Sequence, residues 1–244
     1  ERQASFFTTG GLMAVHSDGR DRDAIWDSMQ KKAVYGTSGD RILLWFNTKD
    51  DGINDPVNMG GDVAMSNAPE FEVKAIGAFE QKPGCPDYTY NALTPERLEN
   101  LCRGECYNPS DNRKLITRIE VIRILPQITP NEDISNLIQD PWKTFNCTPD
   151  PDGCNVSFID EEYPTLKRDA VYYVRAIEAP SLAVNANNLR CEYDAEGNCK
   201  KVNLCYGDRR GDISDDCLDI NEERAWSSPI FVDWLNDKTQ ASLN

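Results

Sequence analysis

Few side chains in this sequence could do chemistry, and they are unevenly spread. His16 is the only histidine in 244 residues, which excludes multi-histidine metal sites and leaves any Ser-His-Asp or Cys-His scheme a single possible base. Ser17, Asp18 and Arg20 follow it, just after the apolar run Leu12–Val15. A polar cluster at the C-terminal end of a strand is where α/β barrels place catalytic groups, so His16, Asp18 and Arg20 are the candidate barrel-mouth residues. No nucleophile motif accompanies them, and a partly exposed turn histidine is the competing reading. Gly36–Gly39, read GTSG, has the composition of a backbone anion nest but lacks a following helix and the P-loop lysine, so turn chemistry explains it better. Asp208, Asp212, Asp215, Asp216 and Asp219 could offer hard oxygen ligands to calcium, and Asp150–Gly153 (DPDG) carries part of a similar pattern. Neither has EF-hand spacing, and a solvated acidic face is the alternative.

The nine cysteines stand at positions 85, 102, 106, 147, 154, 191, 199, 205 and 217, mostly in polar Asp-, Asn-, Gly- and Pro-rich stretches. Zinc knuckles want two close pairs, and only Cys102 and Cys106 have such spacing, so disulfides are expected instead. The simplest local pairings are Cys147 with Cys154, Cys191 with Cys199, and Cys205 with Cys217. Two of Cys85, Cys102 and Cys106 would form a fourth, with the remaining thiol left over or paired outside the chain. Bridges at this density argue for a periplasmic or extracellular location.

Around these residues the apolar periodicity outlines the elements. Leu12–Val15 reads as a strand, followed by a helix over 21–32 with Asp21 and Asp23 at its positive end, Lys31 and Lys32 at its negative end, and Ile25, Ser28, Met29 and Lys32 on one face. A lone β-α unit cannot bury both its faces, so it must pack on later strands or on another domain. From residue 40 the period becomes two. RILLWF at 41–46 is apolar on both faces, as in a fully buried strand, whereas Phe71, Val73 and Ala75 alternate with charged residues. The alternation slips within 115–125, which predicts a β-bulge, and 170–178 and 229–234 complete five strands with little helix between them. That pattern predicts a mainly β (α+β) fold, an antiparallel β-sandwich-like domain preceded by one β-α unit. The connections 80–114, 126–165 and 180–223 are long; the first holds one short helix with Thr94 as N-cap, Pro95 in its first turn and Gly104 as its stop, and the disulfides would clip them.

With 26 basic against 41 acidic residues, a net charge of −15, the surface repels phosphate backbones and anionic lipid, so neither nucleic acid nor membrane is an expected partner. No apolar run reaches the roughly 20 residues needed to span a bilayer, and the N-terminus lacks a signal-peptide pattern, so any export signal was removed or lies upstream.

Residues 10–46 (GGLMAVHSDGRDRDAIWDSMQKKAVYGTSGDRILLWF), 83–124, 168–181 (RDAVYYVRAIEAPS) and 220–231 (INEERAWSSPIF) together resemble the C-terminal part of bacterial proteins of the domain of unknown function 3604 family. The upstream portion of that family is similar to the polymerase and histidinol phosphatase (PHP) metal-dependent hydrolases. The resemblance implies that residues 1–39 are the last β-α unit of a distorted barrel, with 40–236 a β-sandwich-like domain and 237–244 a tail. It also implies that the divalent metal and its ligands belong to the upstream barrel and not to this chain. The expected function is therefore an accessory portion of an exported protein, possessing no complete active site and partnered by its own upstream barrel. The alternatives are a self-sufficient β module binding calcium or a carbohydrate through its acidic loops and, less favoured, an independent hydrolase using His16.

Overall fold

A computed structural model describes residues 10–50, 55–102, 106–184, 191–202 and 218–235. The chain runs β1 (Leu12–Val15), α1 (Arg22–Gln30), β2 (Val34–Thr37), β3 (Leu43–Thr48), β4 (Asp62–Met65), β5 (Glu70–Ile76), β6 (Phe79–Gln81), α2 (Asp87–Ala92), α3 (Pro95–Cys102), β7 (Pro109–Arg113), β8 (Ile116–Ile124), β9 (Ile138–Asn146) and β10 (Cys154–Ile159). Then follow α4 (Tyr163–Leu166), β11 (Ala170–Glu178), β12 (Ser181–Val184), β13 (Cys191–Tyr193), β14 (Cys199–Val202), β15 (Leu218–Asn221), β16 (Arg224–Ser227) and β17 (Ile230–Trp234).

β11 is the axis of an eight-stranded sheet. β8 pairs along one of its edges and β9 lies beyond; on the other edge β17 pairs with Ala170–Tyr172 and β16 with Arg175–Ile177. From β16 the sheet continues to β2 and β1, and from β17 to β4, a pair that runs parallel. A second, antiparallel sheet, β10-β5-β3, lies against it. Phe46, Phe71 and Phe158 of the small sheet meet Tyr172, Val174, Ile119 and Val121 of the large one in a single core. The Phe71 and Tyr172 rings, 4.7 Å apart, join the layers. The predicted mainly β, largely antiparallel sandwich is thus observed.

Alternation dictates the small sheet's orientation: Phe71, Val73 and Ala75 are buried while Glu72 and Lys74 face out. The expectation that 41–46 is buried on both faces is corrected. Ile42, Leu44 and Phe46 enter the core, but Trp45 points to the outer face of this sheet and is 37% exposed, beside His16 and Lys74. The bulge expected near residue 122 is present, with its extra residues on the partner: Val121 faces Lys143 and Arg123 faces Gln139. The long connections contain more regular structure than expected. β6 pairs β7, β12 pairs β15 and β13 pairs β14 in two-stranded ribbons, and 126–165 supplies β9, β10 and α4.

Among the described residues two bridges can be traced between both partners, Cys85–Cys106 and the expected Cys147–Cys154. Cys199 is disulfide-bonded, while the side chains of Cys102, Cys191, Cys205 and Cys217, and with them the expected Cys191–Cys199 and Cys205–Cys217 pairings, lie outside those described. Such bridges belong to an oxidising compartment. Among the described residues no helix is long and apolar enough to cross a membrane.

Candidate functional site: the cleft at the end of the first strand

β1 and α1 form as the sequence predicts. The Asp21 carboxylate caps α1, accepting from the backbone N–H groups of Asp23 and Ala24 at 3.1 and 3.0 Å, and the Ala24 bond above all lowers its pKa. The helix ends where Lys32 turns left-handed (φ 57°). There Gly60 (φ 90°) passes so close that a Cβ on it would lie 2.3 Å from the Lys32 carbonyl oxygen. After the helix the chain returns as β2, antiparallel to β1, and β2 pairs with β16, so the unit is hydrogen-bonded into the main sheet. No residue of α1 is buried. Trp26 is 59% exposed, Met29 39% and, on β1, Met13 60% and Leu12 41%.

His16 leaves β1 directly beside the edge of β3. Its Nε2 lies 2.8 Å from the Leu44 carbonyl oxygen. A carbonyl only accepts, so Nε2 carries the proton and Nδ1 is the free lone pair. Its ring sits 5.4 Å from Tyr35 and 5.9 Å from Trp45, and Tyr35 in turn donates its hydroxyl proton to the Ile42 carbonyl at 2.9 Å. A cleft of about 400 Å³ opens there, lined by His16, Ser17, Asp18, Lys31, Trp45 and Asn58. The structure therefore brings His16 and Asp18 to one cleft, while Arg20 stands exposed and is not among its lining residues. Ser17 Oγ donates to the Gly19 carbonyl at 2.8 Å, a local turn bond that directs its proton away from His16.

A divalent cation does not fit this set. Nε2 is committed as a donor, Asp18 is the one acid among the described lining residues, and Lys31 adds a positive charge. Among the described residues no three His, Cys, Asp or Glu side chains converge as a metal site. The GTSG run is not an anion nest: Ser38 N–H donates to Arg224 O at 2.9 Å and Gly39 N–H reaches Thr37 Oγ1 at 3.4 Å, so these donors are spent within the protein. Asp208, Asp212, Asp215 and Asp216 lie outside the described residues. Asp219, in β15, accepts from Ile220 N–H at 2.8 Å. DPDG is a turn in which Asp150 accepts from Asp152 N–H at 2.8 Å. Its Gly153 (φ 102°) approaches the Ala75 carbonyl so closely that a Cβ would lie 2.2 Å from that oxygen.

Two polar clusters escaped the sequence because their members are far apart in the chain. Asp160, fully buried, accepts from Arg123 at 2.7 Å and Tyr172 Oη at 2.6 Å, and Arg123 also reaches Glu162 at 2.6 Å and Gln139 at 2.7 Å. Glu178, also fully buried, accepts from Ala78 N–H at 2.6 Å with Oε1, while Oε2 makes no hydrogen bond of normal geometry among the described residues. Burial, with Asp40 beside it, pushes its pKa up to about 8; Asp40 is itself ion-paired with Lys114. Both clusters tie segments together. Arg123 and Glu178 stand in the apolar strands β8 and β11, where alternation does not tell a charged residue buried with a partner from one that faces water.

A protein-family model described as "Protein of unknown function (DUF3604)" matches residues 1–81, the first third of the chain. No curated protein matches the chain, and no solved structure does. The stretch most similar to a known family therefore runs from the cleft-bearing β1-α1-β2 segment through β3 and β5 to β6, and that family has no assigned reaction.

Proposed function

We propose that this chain is the accessory, scaffolding portion of an exported PHP-like protein, and that the reacting groups and their divalent metal belong to a barrel domain preceding it in the same polypeptide. One observation carries the reading: a sandwich with a closed core bears a β-α unit whose apolar side chains Leu12, Met13, Trp26 and Met29 remain exposed. Isolated exposed apolar residues are ordinary, but four on two consecutive elements mark a docking surface. His16 and Asp18, at the end of the same strand, would then form one wall of the substrate cleft rather than its reactive centre. The disulfides support a periplasmic or extracellular setting.

The test is the hydrolysis of a panel of phosphate and sulfate esters by the purified 244-residue chain, with manganese, zinc or iron added, beside the His16→Ala variant. The proposal expects no turnover above the metal blank for either. Turnover by the wild type that vanishes on removing the imidazole would contradict it and restore the independent hydrolase.

A further inference from the structure

We infer that the outer face of the β10-β5-β3 sheet, centred on Trp45, binds a neutral oligosaccharide. The pairing register sets out the face. Trp45, Lys74 and Asn155 form one row across the three strands, and Asn47, Glu72 and Ser157 form the next. All six point away from the core, since Leu44, Phe46, Val73 and Phe158 occupy the alternate positions inside. Trp45, 37% exposed on this wet sheet face, leaves part of its apolar ring open to a ligand. Its flat ring matches the C–H face of a pyranose, and the surrounding amides, hydroxyl and carboxylate match the mixed donor and acceptor character of the hydroxyl groups at a sugar's edge.

Shape and charge narrow the ligand. A depression of about 560 Å³ over this face shares Trp45 and Asn47 with the His16 cleft of about 400 Å³. The combined track thus passes across the indole and has room for more than one sugar unit, with Asp18, Lys31 and Asn58 at its far end. The indole is held from two sides, by the His16 ring at 5.9 Å and by Lys74 Nζ at 5.6 Å from its ring centroid, so little side-chain freedom is lost on binding. Two acids, Asp18 and Glu72, balance two bases, Lys31 and Lys74, along the track, and the chain as a whole carries −15, which disfavours an acidic sugar.

This inference does not rest on the docking surface. It shares the His16 cleft with the accessory reading but is tested on Trp45 and Asn155, whereas that reading is tested on Trp26 and Met29, so the two fail separately. The experiment is a titration of the purified chain with neutral β- and α-linked tetrasaccharides (cellotetraose, xylotetraose, mannotetraose, laminaritetraose, maltotetraose), read by tryptophan fluorescence and by amide chemical shifts. At least one should bind saturably. Its affinity should fall by about tenfold or more in Trp45→Ala and measurably in Asn155→Ala, both folded by circular dichroism, and should stay unchanged in Trp26→Ala. Failure of every tetrasaccharide to saturate at millimolar concentration, equal binding by Trp45→Ala, or preference for a tetragalacturonate would overturn the proposal.

Discussion

Glu178 is a buried acid that titrates far from its free form. Its carboxyl is fully buried at the end of β11, and its pKa stands near 8 against 4.5 for the free group. The folded protein holds this proton more tightly than the unfolded chain does. The stabilising contribution is therefore complete below about pH 4.5 and is lost as the pH rises through about 8. Urea denaturation at a series of pH values should show wild-type stability falling across that window, and Glu178→Gln, which mimics the protonated acid and keeps an acceptor for Ala78 N–H, should flatten the fall. A variant with the wild-type pH profile would place the titration elsewhere. At Gly60, Ala substitution would force a Cβ to 2.3 Å from the Lys32 carbonyl oxygen at φ 90°. We expect a loss on the order of 2 kcal/mol, read from the urea midpoint. Neither residue announces its role in sequence. A glycine's demand for space and an acid's burial are both set by segments distant in the chain.

At the scale of elements, the sandwich is held where its layers are joined. Cys147 follows β9 in the large sheet and Cys154 opens β10 in the small one, so their bridge closes the crossing between layers. Replacing both by Ser should cost about 2–3 kcal/mol of stability, measured by thermal or urea unfolding. The Asp160 network joins β8, β9 and β11 to the segment after β10. Asp160→Asn leaves Arg123, 3% exposed, short of its buried counter-charge and should cost about 3–5 kcal/mol. Asp62→Asn, which touches only the exposed Lys32 pair at 3.8 Å, should cost less than about 1 kcal/mol. The sequence showed the elements whose apolar residues keep a period: β1, α1, β5, β8, β11, β17 and the Thr94-capped α3 were all legible. β7, β9 and β14 were not, because PSDNR, IQDPWKTFN and CKKV have no apolar stripe and are strands only through their partners. The same reasoning placed His16 at the end of a strand but missed Trp45. An apolar run alone does not reveal that one of its faces is left open.

For the whole molecule, the large negative charge disfavours polyanionic partners, and the exposed apolar side chains include Leu12 and Met13 on β1 and Trp26 and Met29 on α1. With nine cysteines an odd thiol must remain within the chain unless it pairs outside it, so alkylation of the intact protein should label one cysteine. Labelling of many would undercut both the stapled loops and the export assignment. The accessory role turns on what covers the Trp26–Met29 surface. Amide hydrogen exchange should therefore be compared between this chain and the longer polypeptide that retains the preceding domain. The account predicts slowed exchange in Leu12–Val15 and Arg22–Gln30 of the longer form, with a blue-shifted Trp26 emission that disappears in Trp26→Phe. Identical exchange in both forms, with the preceding domain folded, would contradict it.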